Sequence, residues 1–133
     1  MQLGISARNA RLDAIETAVG ASPLLKIMTG AMPADCATAT SGTVLVTMTL
    51  PSDWMSAASA GSKAKLGTWQ DTSADATGTA GYFRIFDNAG SVCHIQGTVT
   101  LTAGGGDMTL DNTSIATGQS VTIATFTLTD ANG

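Results

Sequence analysis

A chain of 133 residues and 13.4 kDa suffices for one domain with a single two-layer core. With 44% hydrophobic and only 12% charged residues the chain is not a disordered polymer, and its 21 threonines and 15 glycines favour strands and tight turns over long solvated helices. The net charge of −4 and the absence of Lys or Arg after Arg84 exclude direct nucleic-acid binding, which needs clustered cations, and no stretch approaches the ~18 apolar residues of a membrane span.

Taken in chain order, Ser6 to Val19 carries Leu12, Ile15 and Val19 at spacings of three and four, with Ser6 placed to cap the start and Gly20 to close the end. This predicts a short amphipathic helix. Pro23 prevents its continuation, Leu24 to Thr29 reads as a first strand, and Gly30 to Gly42, holding Pro33, reads as a long loop suited to an interaction arm. Thr43 to Leu50 alternates, with Val44, Val46, Met48 and Leu50 on one face, and Pro51 ends it. Ser52 to Ser62 is compatible with a short helix or with an irregular crossover.

Further along, Lys65 to Asp71 is expected as a strand around Leu66 and Trp69, followed by a polar turn to Thr79 and an aromatic strand from Gly81 to Phe86. Asp87-Asn88-Ala89-Gly90 is a hairpin signal, so Ser91 to Ile95 should return antiparallel, with Thr98 to Thr102 continuing the sheet. The triplet Gly104 to Gly106 turns the chain into Asp107 to Leu110, and Asp111 to Gly118 loops into a last strand, Gln119 to Thr129. In that strand Val121 and Ile123 share one face while Phe126 and Leu128 fall on the other parity. A bulge near Ala124, or a switch between sheets, would keep all four buried. Seven or eight short strands with regular turns predict a mainly β fold, a jelly-roll-like antiparallel β-sandwich over residues 23–133, preceded by an N-terminal arm and helix over 1–22.

No residue pattern carries a reaction. Cys93 and His94 are adjacent, so on a strand they point to opposite faces, and no second histidine completes a metal site. Cys36 and Cys93 are expected as two free, mostly buried thiols, with a single bridge as the alternative. Asp107, Asp111 and Asn112 offer hard oxygen ligands in a spacing that matches no calcium loop, and they read better as turn formers. Trp54, Trp69, Tyr82, Phe83, Phe86 and Phe126 are expected in the core rather than on a carbohydrate-stacking platform. The chain is therefore expected to be non-enzymatic, with no catalytic residue, cofactor or metal.

Three segments, ASPLLKIMTGAMPA at Ala21 to Ala34, TAGYFRIFDNAG at Thr79 to Gly90, and GGGDMTLDNTSIATGQSVTIATFTLT at Gly104 to Thr129, resemble a family of small structural proteins of tailed phages and prophages. The resemblance implies a virion component made in the host cytoplasm and placed on the capsid exterior. Its role there is to decorate or cement the shell by binding the major capsid protein and itself, as a dimer or trimer. Neck, tail or baseplate proteins share these properties, and a carbohydrate-binding module of a phage spike is a rival of another class. The N-terminal extension and the Gly30–Gly42 loop exceed what a sandwich needs, so the expected contact residues are Leu3, Ile5, Arg8, Arg11, Leu12, Ile15, Met32 and Pro33.

Overall fold

Tyr82, Phe83, Arg84, Ile85 and Phe86 are all buried, so the strand that carries them is covered on both faces. In the computed structural model, which describes residues 1–130, this strand is the middle of the largest sheet. Residues 131–133, the end of the expected domain, lie outside the described residues. Among the described residues a helix Ile5–Val19 (α1) is followed by ten strands: Leu24–Thr29 (β1), Val44–Thr49 (β2), Ser62–Ala64 (β3), Trp69–Asp71 (β4), Gly78–Phe86 (β5), Cys93–Leu101 (β6), Met108–Leu110 (β7), Ser114–Ile115 (β8), Val121–Ile123 (β9) and Thr127–Thr129 (β10). The chain is mainly β with one short N-terminal helix, the expected class.

The large sheet runs β2-β1-β5-β6-β7, with β8 paired to the start of β5; two ribbons, β3 with β10 and β4 with β9, complete the fold. All pairings are antiparallel except β6 with β7. That parallel pair is joined by only six residues, 102–107, because it overlaps for just three, Val99 to Leu101 against Met108 to Leu110. The return path is thus about 10 Å. The glycine triplet makes the reversal, with the Gly104 N–H donating to the Leu101 carbonyl at 2.8 Å.

Register places Leu25 opposite both Met48 and Ile85, and Ile27 opposite both Val46 and Phe83, so these side chains share the inner face. Against them stands an aromatic chain. Phe83 meets Phe126 edge-on at 5.5 Å, Phe126 lies 5.5 Å from Trp69, and Trp69 lies 6.0 Å from Trp54. Phe126 thus links the large sheet to the second layer, from the segment between β9 and β10.

That segment resolves the parity conflict at the C-terminal end. The run from Gln119 to Thr129 is not one strand: β9 pairs with β4, the chain changes sheet at Ala124 and Thr125, and β10 pairs with β3. Val121, Ile123 and Phe126 are buried and Leu128 packs against the core, so the sheet switch, of the two expected devices, is the one used.

Other boundaries shift for local reasons. Gly4, not Ser6, occupies the helix cap, and no side chain caps that end. Ser52 to Ser62 is the irregular crossover, stitched by bridges of Met55 to Lys65 and Ser59 to Ser62. The expected strand from Lys65 to Asp71 divides around Gly67, which has φ +74°. Ser91 to Thr102 contains one continuous strand rather than two.

The segment from Gly30 to Gly42 folds back over the outer face of β5 and β6 instead of projecting. Tyr82 Oη donates to the Ser41 carbonyl at 2.6 Å, Arg84 donates to the Asp35 carbonyl and Thr40 Oγ1, and Gln96 Nε2 donates to the Pro33 carbonyl. Cys36 and Cys93, expected as free thiols, are joined as a disulfide. The fold brings the loop across β6, which no spacing in the sequence reveals. Truncation of the shared aromatic, Phe126→Ala, should cost about 3–5 kcal/mol in urea denaturation, more than Leu128→Ala on the half-buried neighbour.

Candidate interaction surfaces

Helix α1 lies against β3 through a polar clamp centred on Lys63, a residue that is 1% exposed. The Lys63 ammonium sits 2.7 Å from Asp13 Oδ1 and 2.9 Å from Glu16 Oε1. Asp13 and Glu16 stand three residues apart and so project from one side of the helix. The same carboxylates accept the backbone N–H groups of Ala58 and Met55, while Asn9 Oδ1 accepts that of Gly61. Three helix side chains, Asn9, Asp13 and Glu16, thereby order the irregular crossover.

Burial alone would push the Lys63 ammonium down, but its hydrogen bonds to Asp13 and Glu16 outweigh this and hold its pKa above 10.5. Asp13 is held below 3.8, first by the hydrogen bond from Lys63 and then by the one from Ala58 N–H. The folded Asp13 value is depressed, so its contribution is complete above pH 3.8 and lost as pH falls through the lower value. The Lys63 contribution is complete below 10.5 and lost as pH rises through the raised one.

The eight expected contact residues fall into two separate groups. On the helix side, Arg8 donates to the Asp130 carbonyl through Nε, at 2.8 Å, and also through Nη2, and Arg11 Nε lies 3.2 Å from Asp130 Oδ2. Leu12 is buried and Ile15 packs against the core, so both serve this chain's own fold. Leu3 is half-buried. Ile5, 49% exposed, and the Arg11 side chain, 62% exposed, face solvent. A groove of about 420 Å³ runs between α1 and the end of β10, lined by Arg11, Leu12, Ala14, Ile15, Thr129 and Asp130.

On the other side, Pro33 is half-buried and held by Gln96, whereas Met32 is 38% exposed at the start of the covering segment. Arg84 fixes this segment from beneath. It is 1% exposed, donates to Gln96 Oε1 through both Nε and Nη2, and reaches Thr40 and Asp35 with its remaining contacts. Asp35 turns its carboxylate to Thr38 instead, and the hydrogen bonds from the Thr38 hydroxyl and N–H lower its pKa.

Sequence reasoning missed Lys63, Asp13, Glu16, Arg84 and Gln96. The one available signal was Arg84 inside the apolar run Tyr82 to Phe86, since a charge in a strand buried on both faces must be met by acceptors. The oxygen ligands near the glycine triplet have local duties: Asp107 Oδ2 accepts from the N–H and hydroxyl of Thr98, and Asn112 Oδ1 accepts the Ser114 N–H. His94 is exposed, and Cys93 is spent in the disulfide. Among the described residues no helix is long and apolar enough to cross a membrane.

No match to this chain was found. Neither the family models, nor the curated proteins, nor the solved structures contain one.

The clamp has an asymmetry that mutation can read. Lys63→Met removes a buried cation and leaves two carboxylates that solvent reaches, so thermal unfolding should shift little. Asp13→Ala with Glu16→Ala strands the buried ammonium and should lower the melting temperature clearly more. In the wild type, helix docking should weaken as pH falls below 3.8, followed by amide exchange in 52–62.

Proposed function

We propose that this chain is a non-enzymatic structural protein of a phage virion that decorates the capsid, binding assembled major capsid protein and reinforcing contacts between capsomers. The reading starts from the resemblance carried by Ala21 to Ala34, Thr79 to Gly90 and Gly104 to Thr129. The observation that carries it furthest is that both segments in excess of the β scaffold, the N-terminal helix and the Gly30–Gly42 segment, are held in fixed positions by buried charges, Lys63 and Arg84. Surfaces ordered in advance lose little entropy on docking, and a lattice multiplies modest contacts by avidity.

Within these segments the adhesive residues are those left to solvent: Ile5, Arg11 and the adjoining groove on the helix side, and Met32 on the other. The disulfide suits the same role, because such bonds persist in oxidising surroundings, which a released particle meets and the host cytoplasm does not provide. The carbohydrate-binding rival loses its platform, since Trp54 and Trp69 are both fully buried. A position in the neck, tail or baseplate fits the same surfaces and differs in copy number.

Removing residues 1–19 would also remove Leu12 and Val19 from the interior, so surface variants give the cleaner test. Ile5→Ser, and separately Met32→Ser, should keep the wild-type melting temperature and reduce occupancy on undecorated capsids about tenfold or more, a loss of roughly 1.4 kcal/mol per site. Wild-type occupancy by both variants, or a handful of copies per particle, would sink the capsid reading.

A further inference from the structure

The segment over the outer face of β5 and β6 has the build of a flap. It begins at Gly30 (φ +86°) and ends at Gly42 (φ +78°), two positions in the left-handed region where glycine turns without strain. Cys36 stands midway, six residues from each. No residue of this segment belongs to the hydrophobic core cluster. Its attachments are hydrogen bonds from Tyr82, Arg84 and Gln96, with Ser41 N–H returning one to Tyr82 Oη at 3.0 Å, and the bond to Cys93. These hydrogen bonds fix where the flap lies, but each exchanges for one to water when it lifts, so they add only modestly to the cost of opening. The covalent link is of another order.

We propose that Cys36–Cys93 is a redox latch: oxidised, it locks the flap over Tyr82 and Arg84; reduced, it lets the flap open while the sheet beneath stays folded. The sheet is independent of the latch, because β1, β5 and β6 pair through their own backbones and bury Ile27, Phe83 and Ile85 on the opposite face. Both cysteines are half-buried rather than enclosed, so a thiol reaches them in the native state. In the reaction a dithiol loses two electrons and two protons and closes to a cyclic disulfide, and Cys36 and Cys93 each leave as a thiol. Opening presents a tyrosine and an arginine, the side-chain types that dominate binding patches, on a face otherwise sealed. This follows from the chain's own geometry and stands apart from the capsid reading.

The test compares native protein with and without dithiothreitol, following amide hydrogen exchange by residue. Reduction should accelerate exchange at 34–41, including the Ser41 amide, at least tenfold, and leave β1, β5 and β6 within twofold. Cys36→Ser should reproduce the reduced pattern without reductant. Three results would each overturn the proposal: a disulfide that the dithiol does not cleave below the unfolding transition, a reduced or Cys36→Ser protein whose flap exchanges like the oxidised one, or strands that accelerate in step with the flap.

Discussion

Strand β5 supplies the central constraint, since five consecutive buried side chains on an extended backbone demand cover on two faces at once, and one of those side chains is an arginine. The inner face is met by apolar matter: Phe83 and Ile85 look across to Phe126 and the ribbons behind it. The outer face requires something different. A guanidinium has five donors and no acceptor, so its cover must offer oxygens rather than methyl groups. The Gly30–Gly42 segment does so with the Asp35 carbonyl and the Thr40 hydroxyl, and β6 adds Gln96. A loop carrying few large apolar residues is therefore the right cover for this face.

Close approach reinforces the arrangement. A methyl group on Gly81 would stand 2.0 Å from the Gly30 carbonyl oxygen, so the flap leaves β1 directly over a position where the neighbouring strand has no side chain. The same logic at the other end of the molecule uses charge: Lys63, enclosed on β3, recruits Asp13 and Glu16 and thereby fixes the helix. In both places a buried cation, rather than apolar area, decides where a peripheral segment lies.

How much of this was readable beforehand depends on the range of the interaction. Local signals served well: Leu24–Thr29, the alternating run at Val44, the Asp87–Gly90 hairpin and the parity change near Ala124 all rest on neighbours in sequence. Pairings between distant residues were not legible. Cys36 meets Cys93 across 57 residues, and Arg8 meets Asp130 across 122, contacts that composition and spacing leave undetermined. Of the expected contact residues, Leu12 proved internal because an amphipathic stripe looks the same whether it covers its own domain or a neighbour's. Ile5, Arg11 and Met32 kept their outward position.

The division of the interior into two compartments has an optical counterpart. Both tryptophans lie in the main core, 6.0 Å apart, whereas the single tyrosine sits on the opposite face with its hydroxyl held by Ser41. Indole emission therefore reports the packing between the sheet and the ribbons, and phenol absorbance reports the cover on the other side. The two halves of the molecule carry their own labels, and events in one can be followed without altering a residue in either.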